Sequence, residues 1–272
     1  MFYEVEAEAL TAQVEACFLH KFAKGKIPKV NVEGARRIVG LVCPHAGFEY
    51  SGAVAANAYY ELALDGKPET VVILGPNHRG FGSALAVASG GFWRTPLGEV
   101  EVDAALAREL ADVSGVVDID DSAHVGEHSI EVQLPFLQYL YGSEFRFVPV
   151  CFQMQDLESA VDVGHVLAKV LASRNAVIIA SSDMTHYEPQ KVAEAKDMDA
   201  LKAVELMGEQ RFYRVLEREN VTACGYAPIA ALIVAAKGLG ATTADLLCYK
   251  TSGDTTGDYS SVVGYAAVSF KK

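Results

Sequence analysis

The chain has 272 residues, 51% of them hydrophobic and 21% charged, with a formal net charge of −12. That balance suits an ordinary globular protein, read as one domain over residues 1–272, and an acidic surface repels phosphate backbones, so nucleic acid is not an expected partner. No run approaches the ~18 apolar residues that span a bilayer, and MFYEVEAEAL lacks the basic flank of a secretory signal, so the expectation is a cytoplasmic protein with no membrane partner. Five scattered cysteines (Cys17, Cys43, Cys151, Cys224, Cys248) without a CxxC argue against a disulfide framework.

In chain order, the first strand pattern is IVGLVCP (38–44), which exits into Pro44–His45. SGAVAANAYYEL follows as a helix with Ser51 as its expected N-cap. TVVILGP (70–76) is a near-continuous apolar run, as in a strand covered on both faces, and breaks into Asn77–His78. SALAVAS (83–89) is another strand, and FWRTPLGEVEVD reads as a hairpin turning near Pro96–Gly98. In EHSIEVQLPFLQYLYG, residues Ile130, Leu134, Leu137 and Tyr141 have helical spacing, with Pro135 kinking the helix or marking its start. FRFVPVCF (145–152) is a strand, and DLESAVDVGHVLAKVLASR a helix opened by Asp156 and closed by basic residues. AVIIASS (176–182) leads into Asp183 and His186. Cys224 precedes the helix APIAALIVAAKGLG, with Pro228 early and Gly238 late. TADLLCYK (243–250) and SVVGYAAVSF (261–270) are strands joined by TSGDTTGD, read as a loop, and are expected to pair antiparallel.

Strand–helix alternation predicts an α/β fold with helices on both faces of a mixed, mostly parallel central sheet. Ligands gather outside the carboxyl ends of such strands. His45, His78, Asp183 and His186 all follow predicted strands, and Cys224 sits just before a helix. A lone loop histidine is more often a surface residue than a ligand, but two imidazoles and a thiol at one edge suit a metal with open coordination positions. The helix dipole after Cys224 is expected to lower its thiol pKa. Metal affinity is expected to fall as pH drops through the histidine range near ~6.5. Asp183 and His186 are candidates for acid/base work. A small buried cysteine beside a glycine turn is the bland reading of Cys224. Glu127 reads as a helix cap, His128 as a pocket residue, and Tyr50 and Trp93 as pocket walls or core. His20, His124 and His165 lack partners at informative spacing, and Asp254 and Asp258 read as turn formers.

PHAGFEYSG (44–52), LGPNH (74–78), EHSIEVQLPFLQ (127–138), SSDMTHY (181–187) and CGYAPIAALI (224–233) resemble the signature blocks of the Memo family, whose microbial members are called AmmeMemoRadiSam system protein B. SSVVGYAAVSF resembles its final strand. The resemblance implies an αβα sandwich like that of class III extradiol ring-cleavage dioxygenases, which use non-haem iron. It implies metal ligands at His45, His78 and Cys224, with the family's pocket aspartate and histidine at Asp183 and His186. The expected metal is Fe(II), with Cu or Zn as alternatives. A thiol stands where those dioxygenases carry a carboxylate, which separates this chain from the two-histidine, one-carboxylate oxygenases. The resemblance further implies a functional link to a radical-SAM protein and, from the eukaryotic branch, phosphopeptide binding. Three functions compete: an iron-dependent redox enzyme on a small organic substrate; a metal- or peptide-binding scaffold without turnover; and a cysteine hydrolase with Cys224 as nucleophile and His186 as base.

Overall fold

The computed structural model describes residues 2–33 and 36–272. The first half of the chain runs α1 (Ala7–Leu19), β1 (Ile38–Cys43), a π-helical turn (Phe48–Gly52), α2 (Ala53–Asp65), β2 (Thr70–Pro76), β3 (Leu85–Val87) and the hairpin β4 (Phe92–Thr95) and β5 (Gly98–Val102). Then come α3 (Ala104–Val113), β6 (Asp118–Ile119), two 3-10 turns (Asp121–His124 and Glu131–Gln133), α4 (Leu134–Tyr141) and β7 (Arg146–Phe152). The second half runs α5 (Leu157–Leu171), β8 (Ala176–Ser181), β9 (His186–Glu188), α6 (Gln190–Glu205), α7 (Glu209–Glu219), α8 (Tyr226–Gly238), β10 (Thr243–Thr251), α9 (Ser252–Thr256) and β11 (Val262–Lys271).

The main sheet has the order β10-β11-β1-β8-β2-β7-β3-β6. Its centre, β1, β8, β2 and β7, is parallel throughout. β10 and β11 pair antiparallel with each other, and β11 antiparallel with β1. Strand periodicity splits the apolar side chains between two layers. Val72, Leu74, Ile178 and Ala180 pack with α3, α5, α6, α7 and α8. Val71, Ile73, Val177 and Ile179 pack with α1, α2 and α4. This is the αβα sandwich with a mixed, mostly parallel sheet. No helix among the described residues is long and apolar enough to cross a membrane.

Several local expectations change. Ser51 caps nothing: it lies inside the π-helical turn, and its hydroxyl donates to the Ala46 carbonyl at 2.8 Å. Residues 251–258 contain the short helix α9, opened by a reciprocal Thr251–Asp254 capping box. Pro135 marks a helix start, because α4 begins at Leu134 with proline in its first turn. The strand expected over 83–89 shrinks to Leu85–Val87. The polar helix α6 and the strongly amphipathic α7, which buries only Phe212, Val215 and Leu216, have too little apolar sequence to stand out. All five cysteines are free.

His124 ends a 3-10 turn with its ring edge-on to Trp93, centroids 5.6 Å apart, and both ring nitrogens are buried without a partner. His20 stacks edge-on against Phe22, and His165 is exposed. Burial brings the His124 pKa down to about 4 despite Asp121 and Asp120 nearby. Between about pH 4 and ~6.5 the unfolded chain therefore holds a proton that the folded chain refuses, so this residue costs stability as pH falls through that window. His124→Leu removes an unpaired buried donor and should raise stability by about 1 kcal/mol at pH 7. The gain should grow by roughly 1–2 kcal/mol at pH 5. Urea unfolding at both pH values checks this; equal stability of variant and wild type at pH 5 would contradict it.

Candidate metal centre

The parallel strands deliver their following loops to one edge. His45 lies two residues beyond β1, His78 two beyond β2, and Asp183 two beyond β8. Cys224 reaches the same place from the start of α8, because its Sγ is 3.1 Å from His45 Nε2. His45, His78 and His128 each offer a ring nitrogen, all within 4.8 Å of one another. The His78 and His128 rings stack at 4.7 Å, and His45 stands edge-on to both at 5.3 and 5.5 Å. Three imidazoles therefore meet where sequence reading expected two and a thiol; among the described residues the contact of Cys224 with this group runs through His45.

Each imidazole is held from behind. His45, 2% exposed, places Nδ1 at 2.8 Å from the Ser181 hydroxyl, and its backbone N–H donates to Asp183 Oδ1 at 2.8 Å. His78 donates Nδ1–H to Glu127 Oε1 at 2.9 Å and its backbone N–H to Oε2 at 2.5 Å. Glu127 also accepts the backbone N–H groups of His128 and Ser129, both at 2.8 Å. The cap reading of Glu127 is thus half the story: a carboxylate 4% exposed caps its own turn and orients His78. Burial pushes the Glu127 pKa up, but the His78 ring and the Ser129 and His78 amides outweigh it and hold the carboxyl well below its ordinary range. His128 is sandwiched between His78 and Phe2, whose ring stacks on it at 4.1 Å and 11°. Phe2 gave no sequence signal, since an aromatic near a chain end is unremarkable.

Burial keeps His45 and His128 neutral. The His45 pKa falls to about 3 and that of His128 to about 4, each mainly through burial with neighbouring histidines adding to it. Burial also overturns the expectation for Cys224: its thiol is pushed well above its ordinary range, with Asp183 adding to this and the Asp183 backbone N–H, 3.2 Å from Sγ, opposing it. The start of α8 is not enough to reverse that sign. Asp183 is buried and its carboxyl is pushed up by burial, against the pull of its His45 hydrogen bond. His186 donates Nδ1–H to the Thr222 carbonyl at 3.0 Å, and it is His45, not His186, that touches the Cys224 thiol. The nucleophile–base pair expected for a hydrolase is therefore not formed. Tyr50, 39% exposed, sits in the π-helical turn. Trp93 walls a side cavity of about 320 Å³ that reaches Glu127 and Glu131.

The Memo-like protein family model matches residues 1–269. The chain belongs to the Memo family. A MEMO1 family protein of Methanopyrus kandleri is 51% identical over 100% of this chain and 96% of its own. Another, of Methanothermobacter thermautotrophicus, is 49% identical over 98% and 96%. The crystal structure of an uncharacterized protein from Escherichia coli K12 superposes with a TM-score of 0.61 at 14% identity, over 86% of this chain and 99% of that one, and shows likeness of fold alone.

Gly225 is what lets Cys224 approach. A Cβ there would lie 2.4 Å from the Ser181 carbonyl oxygen and 2.8 Å from Ser182 Cβ, both on or beside the end of β8. Gly225→Ala must push the head of α8 off the strand end and should cost about 1–3 kcal/mol. Urea unfolding measures this, and an unchanged midpoint would mean that the strand end yields freely.

Proposed function

We propose that this Memo family protein is a metal-dependent redox enzyme acting on a small organic substrate, with His45, His78 and Cys224 holding a single ion, Fe(II) before Cu or Zn. The observation that carries the reading is the convergence at the carboxyl edge of the parallel strands: Cys224 Sγ 3.1 Å from His45 Nε2, beside a nitrogen cluster spanning no more than 4.8 Å. The donor set fits such an ion. His78 engages Nδ1 with a carboxylate and His45 engages Nδ1 with a hydroxyl, which leaves both Nε2 atoms to coordinate. An imidazole and thiolate set suits iron, copper and zinc rather than magnesium or calcium. A redox-capable ion held there supplies electron exchange and Lewis-acid polarisation of a bound substrate.

The chain's own groups supply the rest. Glu127 keeps the charge that orients His78. Asp183 fixes the His45 backbone through the His45 and Ala46 N–H groups. His186, tied through Nδ1 to Thr222, keeps Nε2 for moving a proton. Phe2 covers one face of His128 and limits water there. A scaffold reading, in which the site binds metal or a peptide without turnover, draws on exposed aromatics at the edge: Tyr187 is 79% exposed beside His186 and holds a φ of 61°. A radical-SAM partner, which the family resemblance implies, and a location in the cytoplasm, which the acidic N-terminal sequence suggests, belong to this proposal.

The third ligand is testable through protons. His45 and His128 are already neutral above about pH 4, so neither releases a proton on binding an ion at pH 7. A raised Cys224 thiol must release one. Calorimetric zinc titrations in buffers of different ionisation enthalpy should give close to one proton per ion, with affinity rising about tenfold per pH unit between about pH 6 and 8. Cys224→Ser should abolish both effects, and Cys224→Asp should regain part of the affinity, since a carboxylate also ligates. Release of no proton by wild type would transfer the third position to His128. Loss of oxygen uptake on every candidate substrate, with metal affinity intact, would favour the scaffold.

A further inference from the structure

We propose that Gln133 and Ser181 are positioning residues that lock His45 as the Nδ1–H tautomer, so that its Nε2 is a bare lone pair aimed at Cys224 before any ion arrives. The inference follows from counting hydrogens in a buried network. Ser181 is 0% exposed, Ser129 0%, Gln133 1% and His45 2%, so bulk solvent does not reach their bonding groups. The Ser181 hydroxyl has one hydrogen and three neighbours: the Ser129 carbonyl at 2.6 Å, the Gln133 amide at 2.8 Å and His45 Nδ1 at 2.8 Å.

The Gln133 amide has only one workable orientation. One end faces the Tyr59 hydroxyl at 2.6 Å, and the other faces the Pro44 carbonyl at 3.0 Å. A carbonyl only accepts, so the amide nitrogen must point at Pro44, and the same –NH₂ then donates its second hydrogen to Ser181. The Ser129 carbonyl also only accepts, so it takes the Ser181 hydrogen. Ser181 now faces His45 with a lone pair, and Nδ1 must carry the hydrogen that meets it. The opposite tautomer would set two lone pairs against each other at 2.8 Å in a site closed to bulk solvent. Free histidine in water favours that opposite tautomer, so the protein reverses an intrinsic preference.

Glu127 acts on His78 in the same way with a carboxylate, but a neutral hydroxyl accepts or donates as its neighbours require. The lock on His45 therefore resides in the Ser129 carbonyl, which takes the Ser181 hydrogen, and in Gln133, fixed by Tyr59, which fills one Ser181 lone pair and leaves the other for His45. EHSIEVQ carries two members of this relay, Ser129 and Gln133, and SSD carries the third. Its use in coordination rests on the metal reading, while the tautomer itself is a property of the metal-free chain.

Long-range proton–nitrogen NMR of metal-free protein with ¹⁵N-labelled histidine tests this near pH 7, because protonated and bare ring nitrogens resonate in separate ranges. The signal lost in His45→Asn assigns the residue among the seven histidines. Wild type should show His45 Nδ1 protonated and Nε2 bare. Ser181→Ala should move His45 toward Nε2–H, and Gln133→Met should give a mixture, with zinc affinity falling roughly 10–100-fold in each. A wild-type His45 protonated on Nε2 overturns the proposal, as does a Ser181→Ala spectrum that leaves the tautomer unchanged. A chain that binds zinc through His45 yet shows Nε2–H when metal-free loses the lock and keeps the metal site. A chain with the lock that binds no zinc loses the metal reading alone.

Discussion

Parallel pairing of β1, β8, β2 and β7 is the constraint on which the site depends. In that register Cys43 lies beside Ser181, and Pro76 beside Phe152, so the loops after four strands open on one edge. A one-residue slip would turn each strand's side chains to the other face and carry Ser181 away from His45. Covering helices on both faces hold the register, since each strand must satisfy two apolar layers at once.

Desolvation sets the electrostatics of that edge. Burial drives His45, His128 and the Cys224 thiol toward their neutral forms and pushes the Asp183 carboxyl up. Glu127 escapes because four N–H groups converge on it. The site thus holds one firm carboxylate charge behind His78, neutral His45 and His128 imidazoles, and a protonated thiol. A divalent ion bound there would relieve several of these burial costs together.

Much of this was legible in the sequence, for identifiable reasons. Strands flanked on both faces write long apolar runs, and 70–76 and 176–181 appear where those runs stand. His45, His78 and Asp183 were readable because each follows such a run by two residues. Residues 127–130 misled, because Ile130 and Leu134 continue the spacing of a helix that begins only with the turn at Glu131, so the inward turn of Glu127 onto His78 had no periodic signature. The sign of the Cys224 shift also lay beyond reach: a helix start is visible in sequence, whereas the desolvation of one sulfur by packing is a tertiary fact. Phe2, Ser181 and Gln133 act only through contacts far along the chain, 126 residues from Phe2 to His128 for instance, and such pairs leave no local mark.

The central claim is that two imidazoles and one thiolate at the strand edge hold a single ion. X-ray absorption at the zinc edge of protein loaded without air tests it most directly, zinc serving as a redox-silent probe. The account predicts one sulfur at about 2.3 Å and imidazole nitrogens at about 2.0–2.1 Å in the first coordination sphere. A sphere of nitrogen and oxygen alone, with no sulfur, would contradict it and assign the ion to His45, His78 and His128.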